Sequence, residues 1–400
     1  MVVVATLATL VIAALASLFM AWSIGAGSSG STPFAPAVGA NAISVMRAGF
    51  VVGVLGLAGA VLQGANVTEA VGTELVVGSV LTATASTVAL LVAAALVAIG
   101  VFAGYPIATA FTVTGAVVGV GLANGGGPAV AKYQQIVALW VLTPFVGGGI
   151  AYGTAKLLRN ESIPERVAIP ALSGVVGLLV ANIRFAALGG ESGRSLAEVG
   201  ASATPPIVLP VVGVDLGVVI VSALIVLAFV ALIHREIAVD ATRGQRRFLL
   251  LLGGLVAFSA GGSQVGLAIG PLVPLLDEVA VPLPALLVGG GLGLLVGSWT
   301  GAPRMIKAIA QDYSSLGPRR SIAAMIPSFA IAQAAVALGI PVSFNEIIVS
   351  AIIGSGYAAG GAGVSREKML KTVLAWAGSL VLAFGVAYLG FLGVDAVLSI

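Results

Sequence analysis

Runs of about twenty apolar residues recur along this 400-residue chain, and they constrain its fold more than any other feature. The first run, from Val2 to Met20, carries no charged side chain. The chain is 59% hydrophobic and 8% charged, whereas a soluble domain carries roughly 25% charged residues. The sequence therefore predicts an all-α polytopic membrane protein with about 12 transmembrane segments. Several of these segments are short and fit re-entrant hairpins rather than full crossings.

Basic residues gather in four loops that the predicted helices place on one side of the membrane, together with Arg47. These residues are Lys156, Arg159 and Arg166; Arg235, Arg243, Arg246 and Arg247; Arg304, Lys307, Arg319 and Arg320; and Arg366, Lys368 and Lys371. Because cytoplasmic loops collect Lys and Arg, this side is predicted to be cytoplasmic. We therefore expect a multi-pass protein of the cell membrane with both termini extracytoplasmic. The net charge of +3 reflects this topology and does not indicate nucleic-acid binding.

Two separated motifs recur at one spacing, which indicates an internal duplication. The interval from Pro36 to Pro271 equals the interval from Pro106 to Pro341, and we call it the repeat spacing. We expect a first repeat over residues 1–158, central linking helices with a basic cytoplasmic loop over 159–245, and a second repeat over 246–400. Each repeat holds about five crossings, an odd number, so the second copy enters the membrane from the opposite side. Inverted repeats with interrupted helices are typical of secondary transporters, whose substrate sites form near the midplane.

Short polar side chains cluster at the predicted helix interruptions, and they are the candidate substrate ligands. They are Ser28, Ser29, Ser31, Thr32, Thr109 and Thr112 in the first repeat, and Ser263, Gln264, Ser343 and Asn345 in the second. Hydroxyl and amide donors, together with the positive ends of helices, can bind an oxyanion without a buried Lys or Arg. The alternative is that small residues of this kind only let membrane helices pack closely.

Two carboxylates are candidates for ion coupling. Glu346 lies a few residues into an apolar run, where a carboxyl group is costly and is functional by default. It could carry a proton or bind a cation, although a neutral carboxyl at an interface is the alternative. Glu69 follows an apolar helix on the predicted outer side, and solvation in a loop is its simpler interpretation. The coupling ion is expected to be Na⁺ or H⁺, and no other cofactor is expected.

The composition argues against other classes of function. The chain has no cysteine and a single histidine, His234, which lies in a basic loop. A thiolate metal site, a cysteine nucleophile and a histidine-based metal site or triad are therefore not expected, and we predict that the protein is not an enzyme. The chain carries no ATP-binding P-loop, which argues against an ATP-driven importer. A passive anion channel stays open as an alternative.

The same motifs resemble those of the PiT-type inorganic phosphate transporters, a family that includes sulfate carriers. The stretches "IGAGSSGSTPFAP" and "AFSAGGSQVGLAIGPL" resemble the two family signatures, which contain the sequence G-A-N-D. The stretch "GIPVSFNEIIVSAII" resembles the family's L-P-V-S-T-T-H segment, and "YPIATAFTVTGAVVGVGLA" resembles its first-repeat copy. The resemblance covers both repeats. It implies secondary transport of an inorganic oxyanion, with phosphate first and sulfate as the alternative; a homodimer stays open.

This sequence departs from the family pattern at the positions that carry charge. The signature Asn-Asp pairs correspond here to Ser28 and Ser29 in one copy and to Ser263 and Gln264 in the other. The later signature Asn falls on Thr32 and Leu267, and the His of the third motif falls on Phe111 and Glu346. The resemblance therefore implies anion transport more firmly than sodium coupling, and Glu346 is the one candidate for replacing the lost acidic groups.

Overall fold

Long apolar helices make up most of the molecule, which confirms the fold class. The computed structural model describes residues 2–185, 188–189, 193–203, 205–208, 213, 215–276, 281–313, 315–361 and 364–398. Within these residues, ten helices are long and apolar enough to cross a membrane. Two of the predicted segments form shorter helices, Thr109–Ala123 and Phe344–Tyr357.

The first half of the chain contains seven helices. They are α1 (Val2–Gly27), α2 (Ala35–Gly39), α3 (Val45–Gln63), α4 (Ala65–Thr73), α5 (Ala83–Ala103), α6 (Thr109–Ala123) and α7 (Val130–Arg159). The central part contains α8 (Glu165–Asn182), α9 (Leu196–Ala201) and α10 (Leu216–Val239). Two short antiparallel strand pairs join loops: β1 (Val76–Val77) pairs with β2 (Gly127–Pro128), and β3 (Arg184–Phe185) pairs with β4 (Arg194–Ser195).

The second half repeats the helix order of the first. It contains α11 (Ala241–Ile269), a 3₁₀ helix (Gly270–Leu275), α12 (Leu283–Thr300), α13 (Ala302–Asp312), α14 (Pro318–Leu338), α15 (Phe344–Tyr357) and α16 (Arg366–Leu398). Both bounds of α14 follow those of α5 by the repeat spacing, and the start of α15 follows that of α6 by the same spacing. The predicted duplication thus has a counterpart in the helix order. The helix ends differ slightly from the predicted repeat bounds of 158 and 246, because α7 ends at Arg159 and α11 begins at Ala241.

The two halves are interleaved rather than packed side by side. Helix α1 packs on α12 of the other half, and its counterpart α11 packs on α3. Likewise α6 packs on α16, and α15 packs on α7. These two contacts between the halves therefore each have a partner with the roles exchanged, as expected for a pseudo-two-fold arrangement.

Glycines bring the exchanged helices into close contact. A Cβ atom on Gly261 of α11 would lie 1.9 Å from the carbonyl oxygen of Gly56 on α3. A Cβ atom on Gly297 of α12 would lie 2.1 Å from the carbonyl oxygen of Trp22 on α1. Without a side chain at these positions the backbones approach closely, which is how helices commonly associate in lipid.

The basic loops meet at one end of the molecule, which we call the basic face. There Arg319 pairs with Glu165, and the Arg246 Nε donates to the carbonyl oxygen of Ala42 at 2.8 Å. At the opposite face, Lys132 pairs with Glu74 at 2.6 Å, close to the β1–β2 pair. The segregation of basic loops read from the sequence therefore corresponds to contacts in the fold.

The helix interruption is present in the first half, but in the second half it lies further along than predicted. Helix α1 ends at Gly27, and residues 28–34 form turns before α2. Helix α11 instead continues through Ser263 and Gln264 and ends at Ile269, followed by the 3₁₀ helix. The expected break at Ser263 was wrong because the glycines around it are packing positions: a Cβ on Gly266 would lie 2.6 Å from the backbone nitrogen of Thr68 on α4.

Candidate functional site

Four elements meet in a buried polar cluster: the turn after α1, the start of α6, the second half of α11 and the start of α15. The Thr109 Oγ1 donates to the Gln264 Oε1 at 2.7 Å, and the Ser28 Oγ donates to the same oxygen at 3.2 Å. All three side chains are fully buried. Residues that are far apart in the sequence thus share one acceptor atom. We use the name polar cluster for these side chains and for the buried polar residues that lie next to them in the chain or at the start of α15: Ser29, Ser263, Ser343, Asn345 and Glu346.

Two carboxamides tie the cluster to the backbone of the extended segments before α6 and α15. The Gln264 Nε2 donates to the carbonyl oxygen of Val342 at 2.6 Å. The Asn345 Nδ2 donates to the carbonyl oxygens of Gly27 at 3.0 Å and Ile107 at 2.6 Å. These bonds satisfy carbonyl groups of non-helical backbone that would otherwise be costly to bury.

Five polar atoms of the cluster are buried without a hydrogen-bond partner. They are the hydroxyl oxygens of Ser29, Ser263 and Ser343, the Asn345 Oδ1 and the Glu346 Oε2. In the described part of the chain, only Ser23 and Thr114 contribute further atoms of this kind. Buried polar groups are nearly always hydrogen-bonded, so a concentration of unpaired ones indicates capacity for a polar ligand.

Two helix N-termini also point to this cluster. Helix α6 begins at Thr109 and α15 begins at Phe344, each after an extended segment that contains proline. At neither start does a side chain accept a hydrogen bond from the first turn. The first N–H groups of a helix lack partners within the helix, and they carry a partial positive charge that favours anions. The site therefore combines neutral hydroxyl donors with two sources of positive potential.

At four predicted residues the polar group has a different environment. The hydroxyls of Ser31 and Thr32 donate to the carbonyl oxygen of Ser28, and that of Thr112 donates to the carbonyl oxygen of Ala108. These are local bonds that stabilise the turn and the first turn of α6. Glu69 is exposed on α4, whereas the cluster is buried, so the structure does not bring this carboxylate to the other candidates.

Two tryptophans that the sequence reasoning missed support the site. The Trp376 Nε1 on α16 donates to the carbonyl oxygen of Pro106 at 2.7 Å, and the Trp140 Nε1 on α7 donates to that of Pro341 at 2.9 Å. Trp140 also stacks on Phe111, with 3.9 Å between ring centroids. The signal was present in the sequence, because the interval between these tryptophans exceeds the repeat spacing by a single position.

A cavity of about 720 Å³ approaches the cluster from the opposite face. Its lining comes from α3, α4, α8, β3 and α14 and includes Gln63, Asn66, Arg184 and Gln333. The two glutamines hydrogen-bond each other, and the Gln333 Nε2 donates to the Ser259 Oγ at 2.6 Å. Ser259 lies on α11 one turn before Ser263, so this amide pair connects the lining of the cavity to the helix that carries Ser263 and Gln264.

These features define a helical membrane protein built from two interleaved halves around a buried polar site. A comparison with protein families places residues 24–387 in the phosphate transporter family, and the chain belongs to that family. The resemblance noted from the sequence motifs is therefore confirmed. As a member of a transporter family, the chain also agrees with the prediction of a function other than catalysis.

Individual relatives match over nearly the full chain. A protein of Thermococcus kodakarensis, provisionally named a phosphate permease, is 27% identical over 89% of this chain and 90% of its own length. A chloroplastic inorganic phosphate transporter of Arabidopsis thaliana is 25% identical over 90% of this chain and 67% of its own. A solved structure described as the sodium-dependent phosphate transporter shares the fold, with a TM-score of 0.78, 22% identity, and coverage of 97% of this chain and 99% of that one.

Proposed function

We propose that this protein carries inorganic phosphate across the cell membrane by secondary active transport, with the anion bound at the polar cluster. The observation that supports this most strongly is the group of unpartnered hydroxyls of Ser29, Ser263 and Ser343 beside two helix N-termini. The names of the family and of the relatives that match the whole chain support phosphate as the anion.

The chemistry of the cluster suits a hydrated anion that must shed its water. Hydroxyls that donate to phosphate oxygens replace the lost water, and the partial charges of α6 and α15 offset the cost of burial. No Lys or Arg is among the buried residues of the described part of the chain, so the anion is not held by a full opposite charge and can leave again. Alternating access would come from one half of the chain moving against the other around the cluster, as in other inverted-repeat transporters.

Glu346 is the residue that we assign to ion coupling. Its carboxyl group is buried at the start of α15 and leaves the Oε2 without a partner. A protonated carboxyl can donate to a phosphate oxygen, whereas an ionised one repels the anion and attracts a cation. Either H⁺ or Na⁺ can couple to transport through this carboxyl group, H⁺ by protonating it and Na⁺ by binding to its ionised form. The solved relative is described as sodium-dependent.

Uptake into proteoliposomes tests the proposal. We expect saturable uptake of labelled phosphate that an imposed Na⁺ or pH gradient accelerates, with the two gradients applied separately. Competition by unlabelled sulfate distinguishes a phosphate carrier from a broader permease. Flux that rises linearly with phosphate concentration and carries current without either gradient would instead identify a passive anion channel.

The change Glu346→Gln tests the coupling role. Glutamine keeps the size of the side chain but can neither release a proton nor attract a cation with a full charge. We expect phosphate exchange to persist while acceleration by the coupling gradient is lost. Glu69→Gln is the control, because Glu69 is exposed on α4 and should leave both unchanged. Gradient-driven uptake that survives in Glu346→Gln would exclude this residue from coupling.

A further inference from the structure

Two extended segments connect the polar cluster to the two faces of the molecule. Residues 104–108 run from the end of α5, on the basic face, to the start of α6. Residues 339–343 run from the end of α14, on the opposite face, to the start of α15. Both begin with a glycine in the left-handed region, Gly104 with φ of 73° and Gly339 with φ of 59°. We call them the basic-side segment and the opposite-side segment.

A lysine holds the outer end of each segment. On the opposite face, the Lys132 Nζ donates to the carbonyl oxygen of Gly339 at 3.2 Å and pairs with Glu74 at 2.6 Å. On the basic face, the Lys368 Nζ donates to the carbonyl oxygen of Gly104 at 3.5 Å and pairs with Asp312 at 3.2 Å. Each lysine is the third residue of its helix, α7 or α16, so the two contacts occupy matching places in the two halves.

Lys368 also contacts two aromatic rings, and its ammonium group lies 5.9 Å from the centre of the Tyr313 ring. The Lys368 ammonium lies 4.2 Å from the centre of the Tyr105 ring, so the basic-side segment is held through a side chain as well as through its backbone. A cation above an aromatic ring is attracted by the electron density of the ring face. Tyr105 corresponds to Ile340 in the other repeat, which has no such ring.

Below each lysine, the same segment is held at two more carbonyl groups. Trp140 and Trp376 follow the lysines on α7 and α16 and donate to Pro341 and Pro106. The next carbonyls inward, of Val342 and Ile107, accept from Gln264 and Asn345 of the polar cluster. Three carbonyl groups of each segment therefore accept hydrogen bonds between the lysine near the surface and the cluster in the interior.

The lysine contacts are suited to open and close. The Lys132 side chain is 11% exposed and that of Lys368 is 18% exposed, but their acidic partners are about half exposed, at 51% and 44%. Partly exposed ion pairs contribute little stability, so they can break without unfolding the protein. A positive charge near a helix N-terminus is also unfavourable, so each lysine depends on its acidic partner and on the carbonyl group.

We propose that Lys132 and Lys368 are latches on two alternating gates. Release of Lys132 from Gly339 frees the opposite-side segment and opens the cluster to that face, and release of Lys368 from Gly104 opens it to the basic face. In the conformation described here both latches are closed and the cluster is buried. This inference rests on the proposed transport function, because only a carrier needs two gates that open in turn.

Thiol labelling tests the gates directly, because the chain has no cysteine of its own. A single reporter, Ala108→Cys, places a thiol in a fully buried position next to Thr109. A membrane-impermeant thiol reagent is added to one side at a time in sealed vesicles of each orientation, without phosphate. We expect Lys132→Gln to raise the labelling rate from the opposite face by about fivefold, the effect of losing one partly exposed ion pair, and to leave labelling from the basic face unchanged. Lys368→Gln should do the reverse.

Matched variants separate a latch from a general loss of structure. Lys132→Arg and Lys368→Arg keep the cation and should label like the parent, and Lys156→Gln removes an unrelated lysine of α7 and should have no effect. If a Lys→Gln variant does not fold, Glu74→Gln and Asp312→Asn remove the acidic partners and should give the same side-specific increases. Equal changes from both faces, or no change from either, would overturn the latches. Side-specific labelling in a chain that takes up no phosphate would refute phosphate as the transported anion and leave the gates standing in a carrier of another solute.

Discussion

Gln264 joins three other elements through one carboxamide. Its Oε1 accepts from Ser28 and Thr109, and its Nε2 donates to the backbone of Val342. The sequence predicts this residue as a substrate ligand, and in the structure its carboxamide is hydrogen-bonded to other parts of the protein. The repeat spacing could predict that Ser28 and Gln264 lie close together. It could not predict which polar groups are used by the protein, because that depends on neighbours that are distant in the sequence.

The free hydroxyls of Ser263 and Ser343 are the residues whose removal should weaken anion binding most directly. A hydrogen bond to a charged group contributes about 1.5–3 kcal/mol, so Ser263→Ala or Ser343→Ala should raise the KM for phosphate by about tenfold or more. Ser328→Ala is the control, since the Ser328 Oγ is buried but donates to Ala324 within its own helix. Uptake kinetics at several phosphate concentrations give the comparison. An unchanged KM in both cluster variants would contradict the assignment.

At the scale of elements, glycine-rich segments in this chain have two different structures. Residues 28–34 form turns, whereas the similar-looking stretch around Ser263 stays helical within α11. Composition cannot separate these outcomes, because glycine both ends helices and lets them pack closely. Packing contacts determine whether such a stretch forms a turn or a helix. Gly261 lies against the Gly56 backbone and Gly266 against Thr68, and α11 stays helical where these neighbours pack on it.

The tryptophan bonds to the extended segments should contribute measurably to stability. Trp140→Phe and Trp376→Phe keep an aromatic ring but remove the donor to Pro341 or Pro106, which leaves a buried carbonyl unpaired. The expected cost is about 1–3 kcal/mol for each, seen as a lower midpoint of thermal unfolding in detergent. Trp299→Phe is the control, because Trp299 is 42% exposed and its bond to Phe50 can be replaced by water. Equal midpoints for all three variants would argue against a structural role.

Close helix contact predicts strong sensitivity at Gly261. A Cβ added there would lie 1.9 Å from the Gly56 oxygen, so Gly261→Ala must push α3 and α11 apart. We expect overpacking to cost about 1–3 kcal/mol and to reduce the yield of monodisperse protein. Gly289→Ala is the matched change, since nothing lies within 4 Å of its added Cβ. The ratio of folded yields in the same detergent measures the effect, and a ratio near one would contradict the packing argument.

For the whole molecule, composition and repeat spacing were sufficient to predict the class of fold. The charge-free runs predicted the helices, and the two proline pairs located the matching segments in both halves. The exchange of partners between halves was not predictable. It depends on which helix faces meet, and lipid-exposed and buried faces are both apolar in a membrane protein. Helix α10, for example, is the most hydrophobic of the candidate spans but also the least buried.

The orientation in the membrane is a prediction that two single cysteines can check. Val80 is exposed at the opposite face, near the β1–β2 pair, and Glu161 is exposed at the basic face. Because the basic face is predicted to be cytoplasmic, an impermeant thiol reagent added to intact cells should label Val80→Cys but not Glu161→Cys. Permeabilised cells should label both. The reverse pattern would place the basic loops outside the cell, and the opposite face would then be the cytoplasmic one.

The exchange of partners between the halves has a consequence for how such a chain could arise. Helix α6 packs on α16, and α15 packs on α7. A polypeptide that contained only one of the two halves would therefore leave these packing surfaces uncovered. A chain with a single copy would therefore need a second molecule, inserted in the opposite orientation, to cover these surfaces. Joining both copies in one chain would fix their ratio at one to one and would let each copy differ, as Phe111 and Glu346 do at equivalent positions.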